Sequence, residues 1–397
     1  MKKTKIIWLC NFANKEVANI IGSKKDIFAS PWVTELIDLF RKRDDIELYI
    51  ISPNYYENKF QHFTLDNIKV YLYKYRPWFL SYRAYNLSFN YKIAESSILK
   101  IVGNLKPDLI HLHGSENPLY AIGALPLIKE YPVLITLQGF VFLSSKKNNP
   151  FSSYIRWNRI RIERKINTQG KYFTVATDDV LKTLKLFNDK ADFFYDHYPT
   201  TKPTVSSEDF LNKKYNIVYF ARICKDKGIE DFIEAVRLLK DTIPNIKALV
   251  IGGGNENYVT FIKDVIEKVG LGANIDFAGF QHSQQDVFKL AAQAMVSVLP
   301  TYFDGIPGTI REAMVMKIPV VAYAVGGIPS LNNEKECLTL VEKQNISELV
   351  EKILLVLNDK DRTQTIVQNA FDLVLNKYDN SKIYSNIITI YNKILNN

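Results

Sequence analysis

Short apolar runs rich in β-branched residues alternate with longer amphipathic segments along this chain. In its first half the runs IIWLC, IELYIIS, DLIHLH and PVLITL are separated by segments such as PWVTELIDLFRKR, whose apolar positions recur at helical spacing. Strands that alternate with helices in this way form parallel sheets with helices on both faces. The pattern therefore predicts an α/β fold. It also predicts a helix with Ser30 as N-cap and Pro31 at the first helical position.

The alternation is interrupted once, near residues 196–214, where Pro, Thr and Ser collect in the stretch DHYPTTKPTVSSEDFLNKK. It then resumes with NIVYFARI, IEDFIEAVRLLKD, KALVIGGG and IDFAGF and ends in IPVVAYAV. The interruption predicts a linker between two Rossmann-like domains, an N-terminal one at 1–200 and a C-terminal one at 201–378. Because ligands of such sheets bind beyond the carboxyl ends of the strands, we expect the site in a cleft between the two lobes.

Composition is typical of a globular protein, with 397 residues of which 47% are hydrophobic and 23% charged. The three cysteines are far apart and odd in number, which predicts neither a disulfide framework nor a zinc cluster and favours a cytoplasmic location. The opening MKKTKIIWLC has no cleavage site and is interpreted as a first strand. No segment approaches the roughly 20 apolar residues of a membrane span, so we expect a soluble or peripheral protein.

Positive charge is concentrated in the first half of the chain. Residues 1–200 hold 29 Lys and Arg against 19 Asp and Glu, a net charge of +10, whereas residues 201–397 have a net charge of −1. Two aromatic and basic stretches, 71–92 and 156–165, lie in this half. They predict an anionic membrane surface as partner, on the inner face of the plasma membrane, rather than nucleic acid. The alternative is that the aromatic side chains belong to the core and the lysines to a solvated face.

The segment YFDGIPGTIREAMVMKIPVVAYAVGGIP, residues 302–329, places two acids next to a glycine-containing turn. Its apolar spacing predicts a short helix from Gly308 to Lys317, with Glu312 near the first turn and Asp304 on the preceding loop. The free amides at a helix N-terminus attract an anion. Two carboxylates beside an anion then suit uncharged hydroxyl groups, which predicts a sugar phosphate as the ligand.

Two cations follow the first strand of the second lobe and precede its first helix, in YFARICKDKGIEDF. An Arg fork and a Lys point charge, here Arg222 and Lys227, are suited to a diphosphate. The alternative is that Arg222 caps a helix or pairs with Glu230 or Asp231.

These motifs occur in the order FARICKDKGIEDFIEAVRLLKDTIPNIKALVIGGGNE, FAGF and VLPTYFDGIPGTIREAMVMKIPVVAYAVGGIPSL. The segment they span, roughly 215–375, resembles the retaining glycosyltransferases of family 4, which have the GT-B fold. PDLIHLHG and PVLITLQGF extend the resemblance weakly into the first lobe. It implies a nucleotide-diphosphate sugar donor, with UDP or GDP, a glycan or lipid-diphosphate acceptor, and no metal or cofactor. It also implies that a C-terminal helix at 379–397 crosses back to the N-terminal domain.

The resemblance also implies roles for individual residues. The four catalytic positions would be Arg222 and Lys227 on the diphosphate, Glu312 on the ribose, and Asp304 on the donor sugar. The remaining donor contacts would come from Gly305, Ile306, Gly308, Thr309, Gln138, Gly254, Phe280 and Gln281, and the acceptor side from His113 and Glu116. For Phe280 a place in the core is the alternative.

The chain departs from the family pattern at three places. Asp304 replaces the usual first glutamate, Gln138 stands where many members have histidine, and the loop after the first strand keeps only Gly22 of its paired glycines. The same loop lacks the glycine fingerprint of a nicotinamide dehydrogenase. We interpret Asp359-Lys360-Asp361, which spells the D-x-D metal motif of another transferase fold, as a turn and helix cap. His111 and His113 lack a third ligand nearby, and ordinary hydrogen bonds are expected for them instead of metal.

The resulting hypothesis is a retaining, metal-independent glycosyltransferase of cell-surface polysaccharide or glycolipid assembly. Two alternatives remain open. One is a GT-B enzyme that hydrolyses or epimerises a nucleotide sugar without a separate acceptor. The other is an inactive GT-B module that binds sugars, for which the Asp304 and Gln138 departures would be the signature.

Overall fold

A computed structural model of the chain describes residues 3–25, 27, 31–77, 79–81, 84, 85, 90–143, 149–204, 210 and 212–396. Its contacts divide the chain into two compact units. The first unit combines Met1–Pro199 with Asn380–Asn397, and the second comprises Thr200–Asp379. Much of the predicted linker and the predicted N-cap Ser30 lie outside the described residues. In the part of the chain that is described, none of the helices is both long and apolar enough to cross a membrane.

The first unit is built on an eight-stranded sheet with the order β3-β4-β2-β1-β5-β6-β7-β8. Its strands are parallel apart from the antiparallel edge strand β3. The strands are β1 Thr4–Leu9, β2 Ile46–Pro53, β3 Gln61–Leu65, β4 Ile68–Tyr73, β5 Leu109–His113, β6 Val133–Thr136, β7 Tyr172–Val175 and β8 Asp192–Tyr195. Successive side chains point to opposite faces. Ile7 and Leu9 accordingly join one core cluster, and Ile6 and Trp8 join the other.

Helices cover both faces of this sheet, as the alternating pattern predicts. They are α1 Lys15–Ile20, α2 Pro31–Phe40, α3 Lys92–Leu105, α4 Pro118–Ala121, α5 Ala124–Leu127, α6 Pro150–Gln169 and α7 Asp178–Lys185, with a 3-10 turn at Val141–Leu143. Pro31 occupies the first position of α2, as predicted. The aromatic stretch 71–92 is not one helix: it begins in β4, passes through residues that are partly outside the description, and ends in α3.

The second unit has a six-stranded, wholly parallel sheet with the order β11-β10-β9-β12-β13-β14. Its strands are β9 Tyr215–Phe220, β10 Ala248–Ile251, β11 Ile275–Gly279, β12 Ala294–Leu299, β13 Val320–Tyr323 and β14 Thr339–Val341. Its helices are α8 Ile229–Thr242, α9 Glu256–Lys268, α10 Gln284–Ala291, α11 Gly308–Val315, α12 Ile346–Asn358 and α13 Lys360–Lys377, and 3-10 turns lie at Lys225–Lys227 and Ile328–Asn332.

Both sheets reverse their strand order at one point. In the second unit this point lies between β9 and β12, and in the first unit between β1 and β5. The loops after the two flanking strands separate there and leave a crevice at the carboxyl edge, where doubly wound folds bind ligands. The loop after β9 contains Arg222 and Lys227, and the loop after β12 contains Asp304. The topology therefore places three of the predicted catalytic residues around the crevice of the second unit.

The segment Asp359-Lys360-Asp361, which spells a D-x-D motif, lies between the last two helices of the second unit. Asp359 ends α12, and its carboxylate accepts a hydrogen bond of 3.1 Å from the Arg362 amide at the start of α13. This is the N-cap geometry expected of a turn between two helices. The prediction of a turn and cap is confirmed.

The final helix, α14 (Asn380–Leu395), belongs to the first unit. Its apolar residues recur at helical spacing and join the core cluster formed by α2 and one face of the sheet. Deep in this cluster the Trp8 indole donates a hydrogen bond of 2.9 Å to the Tyr391 hydroxyl, which also lies 2.6 Å from Nδ1 of His111. The helix thus completes the core of the unit in which the chain begins, as the resemblance implied.

We expect Tyr391→Phe to destabilise the first unit by about 1–3 kcal/mol, because it leaves the buried Trp8 donor and the His111 nitrogen without their partner. All four tryptophans lie before residue 158, so tryptophan fluorescence during urea unfolding reports on this unit. Tyr384→Phe on the same helix is the matched control, since among the described residues that hydroxyl accepts a hydrogen bond from the partly exposed Arg43 and from no buried donor. Equal losses in both variants would contradict the proposed importance of the buried network.

Candidate functional site

The loop after β9 and the loop after β12 are joined through one backbone carbonyl. The Asp226 carbonyl accepts hydrogen bonds from the Tyr302 amide at 2.9 Å and from the Thr301 hydroxyl at 3.1 Å. Thr301 is fully buried, so this junction is shielded from water. The two loops on either side of the crevice are therefore held as one structure.

A glycine-dependent contact extends this structure to the loop after β13. Gly326 has a φ of +53°, and a Cβ atom at this position would lie 1.8 Å from the carbonyl oxygen of Asp304. The neighbouring Gly327 amide donates a hydrogen bond of 3.1 Å to the carbonyl of Gly305. Only a residue without a side chain permits this approach, so the glycine pair fixes the backbone that presents Asp304.

The glycine-rich turn after β10 is joined to the loop after β9 in a similar way. The Ile223 amide donates a hydrogen bond of 2.8 Å to the Gly253 carbonyl. A Cβ atom on Gly254 would lie 2.2 Å from the Ile223 carbonyl oxygen. Glycine at position 254 is therefore required for the close packing of these two loops.

Phe280 and Gln281 follow β11 and lie beside this turn. Phe280 is 59% exposed and packs against the backbone of Gly253, so its alternative place in the core is excluded. The Gln281 amide donates to the Ala278 carbonyl at 2.9 Å, which holds the turn in shape. An exposed ring at the carboxyl edge of the sheet is available for stacking on a planar ligand.

The structure brings Lys227 and Asp304 into direct contact as an ion pair. Their side chains retain 17% and 20% of their exposure, so both remain accessible from solvent. Arg222 is exposed on the same loop as Lys227, and in the described part of the chain its side chain forms no ion pair. The crevice loops thus present an unneutralised guanidinium and a lysine next to a carboxylate.

The alternative partners of Arg222 are engaged elsewhere. Asp231, in the first turn of α8, accepts hydrogen bonds from the hydroxyls of Tyr302 at 2.7 Å and Tyr323 at 2.6 Å. Glu230 accepts a hydrogen bond of 2.6 Å from Tyr258. Asp231 is 8% exposed, so its carboxylate is buried under the loop after β12. It holds that loop through the hydrogen bond from Tyr302. Sequence reasoning missed this network, because no local pattern connects residues so far apart in the chain.

Helix α11 begins at Gly308, as predicted, and ends at Val315, two residues before the predicted end. Its N-cap is Pro307, which supplies no side-chain acceptor, so within the described ranges the first-turn amides have no N-cap side-chain partner. The partly exposed Ile306 and Thr309 flank this start. Glu312 lies one turn into the helix, 8% exposed and on the side of Gly308.

In the first unit, His113 is the last residue of β5, and Glu116 lies on the loop that follows. The His113 ring is 1% exposed and lies between Trp8 and Trp32, with centroid distances of 4.5 and 5.2 Å. Its carbonyl accepts hydrogen bonds from the Gln138 side chain at 3.4 Å and from a neighbouring tyrosine hydroxyl. The structure therefore brings His113, Glu116 and Gln138 together, while it closes the imidazole of His113 off from solvent.

The two histidines of β5 are neutral core groups. His111 lies within hydrogen-bonding distance of Tyr391 and Thr136, and burial lowers its pKa from 6.5 to about 3. Burial, with the neighbouring His111, also holds the pKa of His113 well below its usual range. Within the described ranges no group of three or more His, Cys, Asp or Glu side chains is placed to hold a metal ion.

Helix α6 holds the loop after β5 with a side chain. The Arg159 guanidinium donates two hydrogen bonds, of 3.1 and 2.8 Å, to the carbonyl oxygen of Glu116. The Glu116 carboxylate turns back over Gly114, where a Cβ atom would lie 2.4 Å from one carboxylate oxygen. Burial raises the pKa of this carboxyl group.

One helical turn further along α6, the fully buried Glu163 holds the loop after β6. Its two carboxylate oxygens accept the Val141 amide at 2.9 and 3.1 Å. Burial is the main reason that the pKa of Glu163 rises from 4.5 to about 8. Sequence reasoning missed this residue, although its position beside the buried Ile162 and Ile166 places it on the apolar stripe of the helix.

We expect the pKa of Glu163 to make the first unit less stable as the pH rises. The folded chain keeps a proton on this group up to about pH 8, whereas the unfolded chain releases it near 4.5, so stability falls across that interval. Glu163→Gln removes the titration. Urea unfolding is followed by tryptophan fluorescence. The urea midpoint of the variant minus that of the wild type should therefore increase between pH 5 and pH 8.5.

Glu130→Gln is the matched control, because Glu130 is exposed in the same unit. Asp196, whose pKa burial raises to about 7, titrates in all three proteins and cancels in the comparison. A constant difference between the wild type and Glu163→Gln at every pH would contradict the assignment.

Comparison with known proteins finds similarity over most of the second unit. Residues 203–372 match the family model described as Glycosyl transferases group 1. The capsular polysaccharide biosynthesis glycosyltransferase CapM of Staphylococcus aureus is 30% identical over 186 residues, which are 47% of this chain and 48% of the relative. An N,N'-diacetylbacillosaminyl-diphospho-undecaprenol alpha-1,3-N-acetylgalactosaminyltransferase of Campylobacter jejuni is 28% identical over 188 residues, 47% of each chain. The chain thus matches about half the length of these two relatives.

Solved structures with the same architecture extend over the whole chain. Sucrose-phosphate synthase from Thermosynechococcus elongatus has a TM-score of 0.78 at 16% identity and covers 99% of both chains. HepE of Anabaena, in complex with UDP and glucose, has a TM-score of 0.72 at 17% identity and covers 98% of this chain and 100% of its own. Residues 203–372 are therefore similar to the Glycosyl transferases group 1 family, and the chain as a whole has the predicted GT-B fold.

Proposed function

We propose that this protein transfers a sugar from a nucleotide-diphosphate sugar to a glycan or lipid-linked acceptor, with retention at the anomeric carbon, in the assembly of cell-surface polysaccharide or glycolipid. The observation that carries the proposal is the contact between Lys227 and Asp304 at the crevice of a group 1 glycosyltransferase domain. A diphosphate on Lys227 lies next to the carboxylate assigned to the sugar hydroxyls. This is the order of the groups in a nucleotide sugar.

The remaining donor contacts follow from the same arrangement. The exposed Arg222 provides a second cation for the diphosphate, and the uncapped start of α11 provides amides around Gly308 and Thr309. Glu312, one turn into that helix, is assigned to the ribose hydroxyls. Phe280 provides a ring for the base. The structure of HepE in complex with UDP and glucose supports UDP as the nucleotide.

On the acceptor side, we assign direct contact to Glu116 and a supporting role to His113. The buried His113 imidazole packs between Trp8 and Trp32 at the end of β5. The Gln138 side-chain amide donates a hydrogen bond to the His113 carbonyl and so supports the start of the loop after β5. The names of relatives that act in capsular polysaccharide biosynthesis and on a diphospho-undecaprenol substrate support a glycan or lipid-linked acceptor.

The proposed chemistry needs no metal ion or cofactor. As the bond between sugar and diphosphate breaks, negative charge develops on the leaving phosphate and is stabilised by Arg222, Lys227 and the helix amides. The acceptor hydroxyl oxygen bonds the anomeric carbon on the same face of the sugar, and the departing diphosphate accepts its proton. Asp304 orients the sugar. This route accounts for retention without a carboxylate nucleophile and agrees with the resemblance to family 4.

We further propose that the first unit binds the cytoplasmic surface of an anionic membrane through α6. Three aromatic residues three positions apart, Phe151, Tyr154 and Trp157, are 65%, 45% and 57% exposed on one side of this helix. The basic Arg161 lies over the Trp157 ring at 5.8 Å, and Lys165 is exposed one turn further along. An aromatic stripe flanked by cations is suited to the headgroup region, where rings enter the interface and cations meet lipid phosphates.

We expect Arg222→Gln to weaken UDP binding by about tenfold or more and to leave uridine binding unchanged, because the variant loses only a charge-assisted contact to phosphate. Isothermal titration calorimetry on the full chain measures both ligands. Arg237→Gln is the matched control, since Arg237 lies on α8 and pairs with Glu234 on the surface. Equal losses of UDP and uridine affinity in Arg222→Gln would contradict the role.

Turnover separates the proposal from its two alternatives. The wild type is incubated with UDP- and GDP-sugars, with and without lipid-diphosphate and glycan acceptors, and the configuration of the product is read by NMR. A glycoside with the donor configuration, lost in Asp304→Asn, is expected. Free sugar or an epimer formed from donor alone would favour a hydrolase or epimerase. UDP binding without turnover on any acceptor would favour an inactive sugar-binding module.

For the membrane surface, we expect the wild type to co-sediment with vesicles of phosphatidylglycerol and phosphatidylcholine and to dissociate as salt is raised. The triple variant Phe151→Ser, Tyr154→Ser, Trp157→Ser should lose most of this binding. Phe261→Ser is the matched control, because Phe261 is 49% exposed on the other unit. Retention of full vesicle binding in the triple variant would contradict the role of α6.

A further inference from the structure

A cavity with a volume of about 470 Å³ lies in the first unit, and none of its lining residues belongs to the site described above. Pockets of 300–1,000 Å³ are typical of small-molecule sites. The cavity lies between β4 and the C-terminal half of α3, near the antiparallel edge strand β3. Its walls are formed by β4, α3, the residue that precedes β3 and the residue that follows β4, so its position is fixed by the fold.

The floor of the cavity is aromatic. Tyr71 and Tyr73 are two positions apart in β4 and point to the same face of the sheet. Tyr73 is fully buried, and its hydroxyl donates a hydrogen bond of 2.7 Å to the Leu119 carbonyl, which leaves only the ring towards the cavity. Phe60 is 54% exposed and lies 6.4 Å from the Tyr71 ring. These rings make an apolar surface that reaches solvent at one end.

The opposite wall is one face of α3. Its lining residues are Ser97, Lys100, Ile101, Asn104 and Leu105, a set with the spacing of a helical stripe. Ile101 and Leu105 provide apolar side chains, whereas Lys100 and Asn104 are exposed at the rim. The Ser97 hydroxyl donates to the Lys74 carbonyl at 3.0 Å and joins the helix to the end of β4.

The rim carries unneutralised positive charge. Lys74 and Lys100 are both exposed, and none of the residues that line the cavity is acidic. Within the described residues neither lysine forms an ion pair. Two free ammonium groups above an apolar floor are complementary to a ligand with a negative head and an apolar body.

We propose that this cavity binds an amphiphile with one apolar chain and an anionic head group, phosphate or carboxylate. The chain packs on Tyr71, Tyr73 and Ile101, and the head group meets Lys74 and Lys100. The proposal does not rest on sugar transfer, because every residue it uses lies outside the transfer site. Two sources supply this chemistry, a free single-chain amphiphile and a lipid whose chain leaves the bilayer.

The test titrates dodecyl phosphate, below its critical micelle concentration, into the full chain by calorimetry. Dodecyl maltoside, with the same chain and an uncharged head, and inorganic phosphate, with no chain, are the comparison ligands. Saturable binding of dodecyl phosphate with a stoichiometry of one is expected, with weaker binding of both comparison ligands. The double variant Lys74→Gln, Lys100→Gln should lose about tenfold or more in affinity for dodecyl phosphate.

The matched control is Lys92→Gln, Lys106→Gln, which removes the same charge from exposed lysines at the two ends of α3. Phe60→Ala tests the aromatic floor of the cavity and should weaken the binding of dodecyl phosphate and of dodecyl maltoside alike. The absence of saturable binding, or an equal loss in the control pair, would overturn the proposal.

Vesicles distinguish the two sources. Phosphatidylglycerol vesicles are added to the triple α6 variant described above, so that binding through that helix does not contribute. Vesicle binding that dodecyl phosphate displaces, and that Lys74→Gln, Lys100→Gln abolishes, supports the site with a bilayer lipid as ligand. Binding of dodecyl phosphate without any vesicle binding supports the site with a free amphiphile as ligand.

Discussion

The carbonyl group of Asp226 is the constraint on which the crevice of the second unit depends. It accepts hydrogen bonds from the first residues of the neighbouring loop, so the loops on the two sides of the strand-order reversal form one backbone structure. Gly326 extends this structure by an approach that no side chain would allow. Lys227 and Asp304 start from opposite loops and meet because their backbones are already joined. The position of the charges is thus a property of the main chain.

The first unit achieves a similar result with side chains. Arg159 and Glu163, one helical turn apart on α6, each bond the backbone of a different loop at the carboxyl edge of the sheet. Hydrogen bonds between backbone groups do not change with pH. A buried carboxyl group with a pKa of about 8 does change its protonation near neutral pH. The two units therefore solve one structural problem with different chemistry, and only one of the solutions responds to the proton concentration.

Local sequence patterns predict much of the fold. The start of α11 at Gly308, the cap at Asp359 and the two alternating α/β units follow from residues that are close in sequence, so the sequence predicts them. The network of Asp231 with two tyrosine hydroxyls joins residues 71 and 92 positions apart, and such a contact has no local signature. The exposure of Phe280 and the burial of His113 likewise depend on which neighbouring loops pack over them. Motif spacing identified candidate site residues, but tertiary packing decides which side chains solvent can reach.

The place of α14 in the first unit has a consequence for synthesis. Trp8 and its hydrogen-bond partner Tyr391 are 383 positions apart in the chain. The second unit is translated in full between them and contains all of its own strands. Nascent domains generally fold in the order in which they emerge. Here the core around Trp8 stays open until Tyr391 has been synthesised, by which time the whole of the second unit has already been translated.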